Sequence, residues 1–162
     1  MQKNRLILKA EIIEELKNVE EIYNDIYKTK TLFDTREPST VELAGLSSFL
    51  QSFYNGIERI FKKIAKEIDD NIPEGMTHHA DLLNQMTLDI KGIRSPIISR
   101  EVYKKLKLLL NFRHRFRHAY HWDLRWIKLK ELFSETDSVM KGFKKDIDSF
   151  MDFIDELLRQ EG

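Results

Sequence analysis

Between residues 113 and 121 the chain places Arg113, His114, Arg115, Arg117, His118, Tyr120 and His121, three guanidiniums, three imidazoles and a phenol. Arginine offers phosphate a planar fork that is always charged, and histidine is the side chain that titrates near neutrality. That combination suits cutting an RNA phosphodiester without a metal. An imidazole moves the proton of the 2′-hydroxyl or of the leaving 5′-oxygen, while a guanidinium stabilises charge growing on phosphorus. The 2′-hydroxyl is itself the nucleophile, so no serine or cysteine is required. The chain has no cysteine, which excludes a disulfide scaffold, a thiolate zinc site and a cysteine nucleophile. His114, His118 and His121 have a spacing that could face zinc. No acidic residue between Glu101 and Asp123 supports such a site, so neither metal nor cofactor is expected.

The elements that position this segment are helical. In 162 residues there are only six Gly and three Pro, and no stretch alternates with period two. Ile12, Leu16, Val19 and then Ile22 or Tyr23 recur at helical spacing, which predicts a first helix over residues 3–31. Ser39-Thr40-Val41-Glu42 has the capping-box pattern and opens a second helix to about Asp70, with Leu46, Leu50, Phe53, Ile57, Phe61 and Ile64 inward. A short helix from His79 to Ile90 follows a turn, and a third long helix runs from about Ser99 to Tyr120. The last helical stretch begins after Asp123, a candidate N-cap, and carries Ile127, Leu132, Val139, Phe143 and Ile147. The pattern leaves open an interruption between Ser134 and Ser138. Short connections between long helices favour antiparallel packing. The expectation is one all-α domain over residues 1–162, an antiparallel bundle of four to five helices.

The motif helix does not behave as core. At about 100° per residue, Arg113, Arg117 and Tyr120 continue the face that Leu106, Leu109 and Leu110 begin. An unpaired guanidinium costs several kcal/mol to bury (~3–5 when a partner is lost). Either acidic partners meet these arginines, or this end of the helix lines a cleft or a subunit interface. Arg113 and His118 fall about 140° apart on a straight helix, so two motif helices meeting across a twofold axis, or a bend near His118, would be needed to aim both at one phosphate.

Arg113-His-Arg-Phe-Arg-His118-Ala-Tyr120 reads R-x4-H-x-Y near the end of a long helix. This resembles the HEPN superfamily, specifically the HepT-like toxins of prokaryotic toxin–antitoxin modules, and the layout of long helices is similar over most of the chain. The resemblance implies a HEPN-like bundle acting as a homodimeric, metal-independent ribonuclease. By position, Arg113 would hold the scissile phosphate and His118 would transfer the proton. From their own charge and polarity, His114, Arg115 and Arg117 are expected to support RNA binding, or one of the two arginines to pair with an acidic residue of another helix. Tyr120 would match the tyrosine that a partner nucleotidyltransferase antitoxin of the MNT family modifies with AMP (AMPylation), silencing the toxin. His114 departs from the Asn or Asp frequent after the motif arginine. Arg115 with His121 makes a competing register, but Asp123 stands where the tyrosine would be. The alternative is a catalytically silent HEPN module that binds nucleotide or the nucleotidyltransferase partner, and a plain structural bundle is the further one.

The charge pattern favours a basic helix neutralised by acidic neighbours within the bundle; the sharper alternative is a local anion site on a protein with no global pull toward polyanions. The chain is neutral, with 27 basic and 27 acidic residues. Residues 100–130 carry ten basic and two acidic side chains, net +8, between segments of net −3 and net −5. The absence of a long apolar run and the charged opening predict a cytoplasmic protein with no membrane segment. His78-His79 reads as solvated at a turn. Glu58 reads equally as a partner for a motif arginine or as solvated, and Trp122 and Trp126 read as packing anchors.

Overall fold

The computed structural model describes all 162 residues apart from the side chain of His121. Five α-helices and one 3-10 turn make up the chain: α1 (Gln2–Leu32), α2 (Thr40–Glu67), α3 (His78–Gln85), α4 (Arg100–Phe116), the 3-10 turn His121–Asp123, and α5 (Trp126–Glu161). No strand occurs among the described residues, as an all-α bundle requires.

Cross-helix polar pairs fix the directions of the long helices. Along α1 and α2, Glu11 meets Lys63 and Glu15 meets Arg59. Along α1 and α5, Arg5 meets Glu161, Lys9 meets Asp155, Glu20 meets Lys144 at 2.7 Å, and Tyr23 and Lys30 share Asp137. In each set, partners rise along one helix as they fall along the other, so both pairs are antiparallel. Lys105 meets Glu135 and Ser138 while the Ser99 amide donates to Asp146 at 2.8 Å, which makes α4 and α5 antiparallel too. Helices α1, α2, α4 and α5 therefore alternate in direction around one core, with α3 inserted between α2 and α4.

The apolar stripes meet in that core. Phe53, Ile57, Phe61 and Ile64 of α2 are fully buried with Ile12, Val19 and Ile26 of α1 and Phe143 and Ile147 of α5, and Phe61 meets Phe143 edge-on at 5.8 Å. At Gly56 the backbones of α1 and α2 approach closely: a Cβ there would stand 2.7 Å from a Val19 methyl. The capping box at Ser39 and Glu42 is formed in both directions.

The connection from α2 to α4 is held by a buried polar cluster. Arg94 donates from Nε and Nη2 to both oxygens of Asp69 at 2.6 Å, and from its amino groups to the carbonyls of Gln85, Leu88 and Ser95. The two side chains are 1% and 2% exposed. Five N–H donors thus find acceptors, the full capacity of a guanidinium. Gln85 donates to Asp69 at 2.7 Å and accepts from Asn71. This cluster ties the end of α2 to the end of α3 and to the loop leading into α4.

Three boundaries differ from the sequence expectation. Helix α3 stops at Gln85, with Ile97 and Ile98 donating back to the Met86 carbonyl. Helix α4 stops at Phe116 rather than near Tyr120, because no apolar residue after Phe116 reaches the core until Leu124; Tyr120 and Trp122 stand about two-thirds exposed. Helix α5 begins at Trp126, whose ring docks against Phe33 at 5.7 Å and Phe133 at 5.8 Å, so Asp123 lies in the 3-10 turn and not at the N-cap. It continues unbroken through residues 134–138, where Thr136 is buried and bonds the Phe133 carbonyl. Ile127, expected inward, is 76% exposed.

Candidate functional site

Two distinct environments flank the end of α4. Toward α2 and α3, Arg113 is partly buried, and one Nη1 hydrogen meets His79 Nε2 at 3.3 Å. His79 Nδ1 in turn lies 2.6 Å from Glu58 Oε2, and the second Glu58 oxygen faces Lys62 at 3.3 Å. A guanidinium only donates, so His79 Nε2 accepts and the ring's proton sits on Nδ1, donated to Glu58. Burial pushes the His79 imidazole below its ordinary pKa, and Arg113 adds to this against the opposing pull of Glu58. The ring is therefore neutral near pH 7. Glu58 itself is 4% exposed. Beside it the Tyr54 hydroxyl is buried without a hydrogen bond, and burial raises its pKa, with the Glu58 charge adding to the shift.

The other environment is a groove of about 960 Å³ between the outer face of α4 and the start of α5. His114, Arg115 and His118 line it together with Phe112, Phe116 and Ile127, whereas Arg113 does not. The His114 and His118 rings meet edge-on at 5.4 Å. His118 lies past the last turn of α4, and its amide bonds the Arg115 carbonyl, tightening the chain as it leaves the helix. Arg113, His114 and Arg115 sit in the helix's last turn, where cations oppose the partial negative charge of the carbonyl end. Among the described residues, no carboxylate pairs directly with Arg113, Arg115 or Arg117, while Asp123, Glu131 and Glu135 line the groove alongside Arg115, Arg125 and Lys128. Tyr120 is 65% exposed and stacks flat on Trp122, with ring centres 4.4 Å apart and planes 6° from parallel.

The sequence-derived residues thus divide. His114, Arg115 and His118 come together on the groove; Arg113 turns to α2 and α3; Arg117 is exposed. His121, considered as a zinc ligand and in the competing register, lies outside the described side chains. Among the described residues no three histidine or carboxylate groups converge as metal ligands. Glu58 and Arg113 are linked, but through His79, which sequence reasoning placed in solvent. A signal for His79 existed: it shares a helical face with Leu82, Leu83 and Met86, all buried. Trp126 is a packing anchor as expected, while Trp122 is 64% exposed.

With the motif at the open end of α4 in an alternating helical bundle, comparison with protein-family models gives a match to the HepT-like protein family over residues 45–154. The chain belongs to the HepT-like family of the HEPN superfamily. The matched span runs from the second turn of α2 into the last turns of α5, so it contains the Arg94–Asp69 cluster, the Glu58–His79–Arg113 chain and the whole motif. Comparisons with curated proteins and with solved structures give no match. No helix among the described residues is long and apolar enough to cross a membrane.

Proposed function

We propose that this HepT-like protein is an RNA endonuclease of a toxin–antitoxin system that needs no metal. His118 transfers the proton and Arg113 binds the phosphate. In the reaction the 2′-oxygen bonds to phosphorus as its proton passes to a base, and the P–O5′ bond breaks with a proton delivered to the 5′-oxygen. The products end in 2′,3′-cyclic phosphate and 5′-hydroxyl. The observation that carries this reading is the exposed His118 imidazole beside His114 and Arg115 on a groove of mixed charge, where Arg125 and Lys128 also stand with Asp123, Glu131 and Glu135, within a HepT-like bundle. Unpaired RNA fits best, because in-line attack needs a flexible backbone.

Since Arg113 and His118 face different ways within one chain, joint action on one phosphate calls for a homodimer whose subunits each lend one group. Tyr120, exposed beyond the helix, is accessible to an MNT-type nucleotidyltransferase. AMP attached there would bring a negative phosphate and a bulky nucleoside next to the basic segment. Cytoplasmic RNA is the corresponding substrate.

The test is incubation of the protein and of His118→Ala with RNA in excess chelator, followed by analysis of product ends. Cyclic phosphate from the wild type, reduced by about 10²–10⁴ in the variant, supports the enzyme. One observation favours a second reading, a silent nucleotide- or partner-binding module: Arg113 is tethered to His79 rather than presented on the His118 groove. No cleavage by either protein selects that reading, whereas equal cleavage by both points to another residue or to a contaminating nuclease.

A further inference from the structure

The Glu58–His79–Arg113 chain has a property that a plain salt bridge lacks. A carboxylate placed directly on Arg113 would cancel its charge. Here a neutral ring stands between them, while Glu58 has Lys62 as its own counter-ion. The guanidinium is therefore held without being neutralised. Its Nε–H is buried and makes no hydrogen bond, and its Nη2 group makes none to a described residue. Burying an unused donor is costly, and such an atom calls for a reason. A tethered cation with unused donors is suited to accept an anion.

We propose that Glu58 and His79 are positioning residues, which hold the Arg113 guanidinium through a carboxylate–imidazole relay so that its uncommitted Nη2 group takes an RNA phosphate. The inference rests on the RNA reading for the identity of the anion. The relay works in one protonation state. A second proton on His79 would occupy Nε2, the atom that accepts from Arg113, and would set a cation against a cation. The charged and titratable groups acting on His79 are Glu58 from α2, Arg113 from α4, and His78, whose ring lies 3.8 Å away on α3; Lys62 pairs with Glu58, and the Tyr54 phenol feels Glu58 and Arg113. A second proton on His79 thus loosens the hold on Arg113.

The probe is a 2′-O-methyl RNA oligonucleotide, which lacks the attacking hydroxyl and separates binding from cleavage. Its affinity is measured by fluorescence anisotropy from pH 5 to 8 on the full chain, with circular dichroism to verify folding. Arg113→Ala should weaken binding about tenfold at pH 7.5, the scale of one charge-assisted contact. His79→Phe and Glu58→Leu should weaken it in the same direction. His79→Gln keeps a donor and an acceptor but does not titrate; it should bind within about twofold of wild type at pH 7.5 and should lack the acid-side loss of affinity that a second proton on His79 gives the wild type. Nitrogen NMR of the wild-type imidazole should show the Nδ1–H tautomer at pH 7.5, whether or not any variant folds.

If Arg113→Ala binds weakly and folded His79→Phe binds normally, the relay is overturned while the RNA reading stands. If both bind normally, Arg113 takes no phosphate and the proposal fails; the cleavage assay with His118→Ala then decides the RNA reading separately. An Nε2–H tautomer overturns the proposal outright.

Discussion

Mixing two inactive variants, Arg113→Ala and His118→Ala, asks where one complete site lies. In a single chain Arg113 is tied to His79 on the α2–α3 side, and His118 lines the opposite groove with His114. If a twofold axis joins the Arg113 of one subunit to the His118 of the other, each homodimer of either variant lacks one member at both sites. A mixed dimer has one site with both members intact and one with neither. Equal mixing with free exchange makes half the dimers mixed, each with one of two sites, so activity should recover to about a quarter of wild type. Each variant alone should sit at least about 100-fold below wild type, the usual loss for one acid–base group. The assay is cleavage of a fluorescent single-stranded RNA after co-refolding or subunit exchange, with light scattering to follow dimer mass. Recovery to a few per cent or less, with mixed dimers shown to be present, would refute the shared site and require both groups to meet within one chain.

Asp69→Asn leaves the Arg94 guanidinium buried without its counter-ion and should destabilise the fold by about 3–5 kcal/mol in urea unfolding; at roughly 2–4 °C per kcal/mol for a chain of this size the midpoint should fall by at least about 6 °C, and a change under 2 °C would mean the cluster is not the clamp described. Ser39→Ala should cost about 0.5–2 kcal/mol through loss of the α2 cap. The paired Glu42 carboxylate is pulled down to about 2, first by Arg36 and then by the Ser39 amide; being depressed on folding, its contribution is complete above its ordinary pKa and is lost as pH falls toward 2, so melting curves of wild type and Glu42→Gln should converge in that acid range. Tyr23 is raised to about 12 by burial and by its hydrogen bond to Asp137. Its contribution is complete below the ordinary tyrosine value and is lost as pH rises toward 12. Ultraviolet titration should show one phenol ionising later in wild type than in Asp137→Ala.

What could be read from the sequence divides along a physical line. Helical periodicity reports which residues avoid water, and it placed α1, α2 and α5 within a few residues because their stripes are long and continuous. It misplaced the end of α4, since a helix with charged residues and no apolar anchor stops when packing stops, not when propensity does. It also left Ser134–Ser138 open, where the buried Thr136 satisfies its hydroxyl within the helix. At the site, residue types and spacing singled out the segment from Arg113 to Tyr120, but not its partners. His79 lies 34 residues from Arg113 and Glu58 another 21 from His79. Only the fold brings those distances to hydrogen-bond length, and a lone histidine beside a turn does not declare its partner.

The division of labour at the end of α4 follows from that same limit of packing. Up to Arg113 the helix is supported by α2 and α3, so a side chain there can be fixed by buried groups such as Glu58, and a guanidinium can be aimed without being neutralised. Past Phe116 there is no core to pack against, so His118 and Tyr120 are solvent-facing and available to a substrate, a second subunit or a modifying enzyme. A phosphate-binding arginine gains from rigidity, because orientation lowers the barrier only when it is established before reaction. If His118 transfers the proton as proposed, its exposure gives it access to substrate and to water. Moving the helix end by one turn would exchange these properties. Extending α4 through residues 117–120 with strong helix formers, while keeping Arg113 and His118, should therefore leave RNA affinity near wild type and lower the rate of cleavage.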